Sequence, residues 1–137
     1  MSTSRRIFKY PTLIVVALGM LASAQERAGA QSLLDFDEWM QKIDRRSQSV
    51  QRNLGRQDAA AASADARDIS ELYRSMEAYF TRRGDSSEAV KMSQEGQELA
   101  AGMIKSVAGN DFAAATKAAQ TLARACRTCH SKYKPLE

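Results

Sequence analysis

The chain has 137 residues, 26% of them charged and 44% apolar, which suits one soluble globular domain rather than a disordered or fibrous chain. Its net charge is +4, but Arg5, Arg6, Lys9 and Arg27 against Glu26 carry three of those four charges within the first 30 residues. No basic stripe is interleaved with aromatic residues, so nucleic acid is not an expected partner.

Residues 1–30 read as a secretory signal peptide. Arg5, Arg6 and Lys9 form its charged start, and Leu13 to Ala22 its apolar run. A membrane span needs roughly 20 apolar residues, more than this run supplies. Cleavage sites of the small-x-small type follow at Ala22-Ser23-Ala24 and Ala28-Gly29-Ala30; the second is favoured because helical patterning begins soon after it. An uncleaved N-terminal anchor is the alternative. Ser4-Arg5-Arg6-Ile7-Phe8-Lys9 also resembles a twin-arginine export signal. A periplasmic location follows for residues 31–137, with no membrane span once the leader is removed.

Past residue 31 no period-2 run appears, and four amphipathic helices can be drawn from start and stop signals. Asp35 and Glu38 form a candidate capping box for a first helix over 36–54, with Gly55 at its end. Its apolar stripe is Phe36, Trp39, Met40, Ile43, Val50 and Leu54, with Ser47 in the gap. Asp58 caps a second helix over 59–83, bearing Ala62, Ala66, Ile69, Leu72, Tyr73, Met76, Tyr79 and Phe80, and Gly84 ends it. Asp85, Ser86 or Ser87 caps a third, with Val90, Met92, Gly96, Leu99, Met103 and Val107. After the Gly109-Asn110 break, Asp111 caps the fourth, from Phe112 through Ala115, Ala119, Leu122, Cys126 and Cys129 to Tyr133; Pro135 follows. Loops this short make consecutive helices antiparallel neighbours. The expected fold is an all-α, up-down-up-down four-helix bundle.

Cys126 and Cys129 are the only cysteines and His130 the only histidine, and all three fall in Cys126-Arg127-Thr128-Cys129-His130. Cys-x-x-Cys-His is the attachment signal for a c-type haem. Cysteines at i and i+3 lie on one helix face, so both sulfurs can form thioethers at one porphyrin edge, and the adjacent histidine reaches the iron as proximal ligand. Zinc would want four such ligands. A thioredoxin-like pair would want a βαβ pattern. A disulfide would close too small a loop to constrain the unfolded chain much. A buried pair of structural thiols is the remaining alternative.

Cys126-Arg127-Thr128-Cys129-His130-Ser131-Lys132-Tyr133-Lys134 resembles the C-terminal signature of the class II cytochromes c, the cytochrome c prime family. There the attachment motif lies on the last helix and is followed by x-x-aromatic-basic. Asn110-Asp111-Phe112-Ala113-Ala114-Ala115 resembles the way that family opens its final helix. The likeness spans four helices, but its specificity sits in the last dozen residues. The segment from Gly84 to Glu88 is shorter than the proline-bearing crossing of many members. Their pocket wall and dimer geometry are therefore not carried over to this chain.

The resemblance implies one covalent haem c per chain, bearing iron. It divides the possible functions into two: a low-spin electron carrier with a methionine from the first helix on the iron, or a five-coordinate protein that binds small gases such as NO or CO. Met40 is the candidate sixth ligand. It lies about one turn into the first helix, level with His130 in an antiparallel bundle, where the methionine-ligated members carry theirs. Met76 and Met92 compete, and Met103 falls at the far end.

Trp39, Phe36, Tyr73 and Phe80 read as core or haem-pocket aromatics. Arg45 and Arg46 read as a solvated face or as partners of a haem propionate. Lys132 and Lys134 suit the helix dipole or could steer an acidic redox partner. A redox partner protein and a possible homodimer complete the expected associations. No second histidine is available for acid–base catalysis, so an enzyme is not expected. A bundle merely stabilised by haem is the third alternative.

Overall fold

A computed structural model describes residues 33–84 and 86–133. The leader, the cleavage sites, Asp85, Lys134 and Pro135 lie outside the described residues. The described residues form four helices: α1 (Leu33–Gly55), α2 (Ala59–Arg83), α3 (Ser87–Ala108) and α4 (Phe112–Tyr133). No strand occurs among the described residues. None of their helices is long and apolar enough to cross a membrane.

The helix ends follow local chemistry. Asp58 and Asp111 cap α2 and α4, each carboxylate accepting from the backbone N–H three residues on, of Ala61 at 3.0 Å and Ala114 at 2.9 Å. The residue before each aspartate, Gln57 (φ 56°) or Asn110 (φ 58°), takes the left-handed conformation. Each of these residues closes the preceding helix. Gln57 N–H donates to Leu54 at 3.0 Å and Asp58 N–H to Asn53 at 2.9 Å; Asn110 and Asp111 repeat the pattern onto Val107 and Ser106 at 2.9 and 2.8 Å. Both turns are Schellman motifs whose last residue doubles as the next N-cap. Gly55 therefore does not end α1 through its own conformation; Gln57 does. Gly84 (φ 69°) closes α2 in the same left-handed region. Ser86 stands at the N-cap of α3 without a side-chain capping bond. Since α1 runs back to Leu33, Asp35 stands in its first turn rather than ahead of it.

Each helix packs its backbone closely against two others, α1 on α2, α2 on α3, α3 on α4, and α4 back on α1, while the diagonal pair α2 and α4 meets only through long side chains such as Tyr73 with Cys126 and Phe80 with Tyr133. The α1–α4 side is the most sparsely packed. The core stripe of α1 is Phe36, Ile43, Ser47, Val50 and Leu54, and that of α2 includes Ala62, Ala66, Ile69, Tyr73 and Met76. On α3 the buried face differs from the apolar pattern. Ala89, Ser93, Gly96, Ala100, Met103 and Val107 face inward, while Val90, Met92 and Leu99 flank them half-buried. Small residues on that line let α3 approach α2 closely. A Cβ added at Gly96 would stand only 2.6 Å from Cδ1 and Cε1 of Tyr73.

Polar ties set the register between neighbours. Arg46 and Asn53 of α1 hold Asp65 at the start of α2, at 3.1 and 2.8 Å. Glu77 near the end of α2 accepts from Gln94 and Gln97 of α3 at 2.7 and 2.6 Å. Lys132 of α4 pairs with Glu88 at the start of α3. Every tie joins the later half of one helix to the earlier half of another, as an antiparallel bundle requires.

Candidate functional site

Ala115, Ala119 and Leu122 form the buried stripe of α4, and Cys126, Cys129 and Tyr133 continue it at spacings of four and three. Both thiols are half-buried, because here the stripe runs out along the sparse α1–α4 side. Burial pushes both thiols above their ordinary value, the nearby Cys126 adding to the rise at Cys129. Both therefore stay protonated at neutral pH. The Tyr73 hydroxyl, 3.9 Å from Cys126 Sγ, opposes the rise at that residue. His130 follows on the solvent side of Cys129 and is exposed.

Three cavities converge on these residues. The largest, about 490 Å³, lies between the start of α1 and the end of α4 and is lined by Leu33, Leu34, Phe36, Met40, Cys129 and His130 among others. Its size is that of an ordinary small-molecule site. Leu33 and Leu34 at its rim are 58% and 82% exposed, the exposed large apolar side chains among the described residues. A second, of about 30 Å³, lies deeper and brings together Met40, Ile43, Asp44, Tyr73, Met76, Cys126, Cys129 and His130. A third, about 150 Å³, opens on the α3 side between Tyr73, Met76, Met92, Ser93, Thr128 and Cys129.

The methionines are thereby sorted. Met40 shares both the wide cleft and the deep pocket with His130. Met76, 2% exposed, shares only the deep one. Met92 faces the α3 side, in a cavity that His130 does not line. Met103 is fully buried in the core.

Aromatic residues close the end of the bundle beside the cleft. Phe36 stacks on Tyr79 at 5.1 Å and meets Phe80 edge-on at 5.4 Å; Phe80 touches Tyr133 at 5.8 Å, and Trp39 meets Tyr79 at 6.4 Å. Such pairs add stability beyond their buried area. They hold the first turns of α1 and the last turn of α4 at a set separation.

Two charged residues have partners on the protein. Arg46 is engaged with Asp65 and Asp68, at 3.1 and 2.9 Å, on the α1–α2 face away from the cysteines. Lys132 is tied to Glu88. Sequence reasoning passed over Asp44, which lines both cavities that His130 lines. It also left Tyr73 as a generic aromatic. Gly96, a glycine inside an apolar helical stripe, was the one available sign of a close approach there.

Among the described residues, no three of His, Cys, Asp and Glu gather as a metal cluster. The donors lie along one helix face and its edge instead, two sulfurs inward and one imidazole outward, a layout suited to separate bonds with one large planar group. The residues present thus fit a covalently held haem by donor chemistry, by spacing and by the cleft beside them. Comparison with protein-family models, with curated proteins and with solved structures gives no match for this chain.

Proposed function

We propose that this chain is a periplasmic c-type cytochrome of the class II type, which carries one covalent haem and transfers single electrons. The observation that carries the reading is the shared lining of the α1–α4 cleft. Cys129 and His130 from the Cys-x-x-Cys-His run border it together with Met40 from the facing helix. Cys126 and Cys129 would hold the group by thioethers, His130 would be the proximal iron ligand, and Met40 would stand as the sixth. Bound there, the haem supplies a reversible one-electron couple whose potential depends on its axial ligands, burial and hydrogen bonds.

The chain's own part is positional. The Phe36–Tyr79–Phe80–Tyr133 cluster packs against one end of the site. Leu33, Leu34, Phe36, Met40 and Tyr133 give the site an apolar lining beside the polar Asp37, Gln41 and Asp44, while the rim at Leu33 and Leu34 leaves an edge where a partner protein can approach. The exposed side of His130 lies near that rim.

Optical spectra of the purified, matured protein, oxidised and reduced, with and without CO, test the reading. A covalently bound haem whose reduced spectrum ignores CO is expected. A CO-induced change would overturn electron carriage in favour of gas binding. Protein without haem from a host that matures c-type cytochromes would overturn the whole assignment.

A further inference from the structure

Tyr73 is 7% exposed, and among the described residues its hydroxyl has one hydrogen-bonding neighbour, Cys126 Sγ at 3.9 Å. A buried hydroxyl left unmatched costs about 1–3 kcal/mol, yet the fold offers this one a sulfur, a weak acceptor. The ring is brought there by the backbone of α3. A Cβ at Gly96 would lie 2.6–2.7 Å from three ring carbons, so any side chain at that position would displace the ring. Tyr73 is thus fixed between a helix backbone on one side and the first cysteine of the attachment motif on the other. No hydroxyl among the described residues is bonded to Cys129, so the two cysteines differ in their surroundings.

Burial drives the phenol far above its ordinary value, and Cys126 adds to the rise, so the group is a neutral O–H throughout the physiological range. With a free thiol, either partner could donate. A thioether sulfur has no proton, so after attachment only the tyrosine can.

We infer that Tyr73, seated by Gly96, is a positioning residue for the haem: its hydroxyl donates to the Cys126 sulfur and makes the two attachment sulfurs electronically unequal. This rests on the proposed haem attachment. A donor at the sulfur draws electron density from the adjoining edge of the macrocycle and favours the reduced state.

The test compares the full-length, haem-matured protein with Tyr73→Phe, which keeps the ring against Gly96 and removes only the O–H. The equilibrium constant for reduction is expected to fall about threefold, the low end for one hydrogen bond because sulfur accepts weakly. The Soret circular dichroism should change with it, while the thermal midpoint moves by only a few degrees. Gly96→Ala, which displaces the ring, should lower the same constant and the stability as well. A Tyr73→Phe protein with wild-type potential and Soret dichroism overturns the inference and leaves haem attachment standing, even if its thermal midpoint falls. Wild-type protein that matures without covalent haem overturns the proposed function, and this inference with it.

Discussion

Nη1 of Arg46 lies 3.1 Å from Oδ1 of Asp65, a side chain 6% exposed at the seam between α1 and α2. Nη2 of the same guanidinium reaches Asp68 at 2.9 Å, and Asn53 supplies Asp65 with a further bond at 2.8 Å. One buried carboxylate thereby joins the two helices at the end of the bundle remote from the cysteines. Losing the partner of a fully buried charge costs about 3–5 kcal/mol, but exposed pairs contribute about 0–1. Arg46 is 48% exposed, so Arg46→Ala should cost about 1–2 kcal/mol. Urea unfolding checks this. An unchanged midpoint would show that Asn53 and water satisfy Asp65 unaided.

Met40→Ala should convert a low-spin haem to high-spin and open it to CO, as read by electron paramagnetic resonance and by CO titration. A stability loss of about 1–2 kcal/mol accompanies it, because Met40 is half-buried. Met92→Ala should leave the spin state unchanged, since Met92 faces the cavity that His130 does not line. A spin change in the Met92 variant alone would reverse the assignment.

The attachment residues should separate by role. Cys126→Ala and Cys129→Ala should each keep the haem through the remaining thioether after denaturation. The double variant should release it on acid extraction, as absorbance and intact mass would report. His130→Ala should retain the covalent bonds yet lose the proximal ligand and the native spectrum.

The Glu77 carboxyl sits below the usual carboxylate range, because Gln94 and Gln97 donate to its charged form. Its contribution is therefore present above the unfolded-chain value of about 4.3 and is lost as pH falls through the lower folded value. Glu77→Gln should flatten that part of the acid unfolding profile and leave its shape near pH 7 unaltered. Thermal melts in a series of buffers would measure it. A variant profile parallel to wild type below pH 5 would contradict the linkage.

Gln57 bears a side chain at a left-handed position that favours glycine. Gln57→Gly should raise stability by about 0.5–1 kcal/mol, and Asn110→Gly by less, because asparagine tolerates that region better. Urea midpoints would rank the two.

Legibility followed the range of the forces involved. The ends of α2 and α4 were readable because an aspartate, its third N–H and the following helix formers act within one turn. The phase of α3 was readable only in part: Gly96, Met103 and Val107 stood in the expected stripe, whereas Ala89, Ser93 and Ala100 carry little hydrophobic signal and are buried because their smallness admits the neighbouring helix. Nothing local marks Asp65 as a buried residue of α2. Its burial depends on two α1 side chains, 12 and 19 positions away.

By itself the sequence determined four amphipathic helices, the two aspartate-capped turns, and a Cys-x-x-Cys-His run in the last helix. Each of these depends on hydrogen bonds and side-chain spacing within a few residues. Tertiary structure decided which of the candidate residues share a cavity with that run. It brought Met40 to the cleft beside His130, turned Met92 away, and set Tyr73 against Cys126 across 53 positions. Those outcomes depend on how closely α3 packs on α2 and how loosely α1 packs on α4, which long-range packing sets and no local pattern encodes.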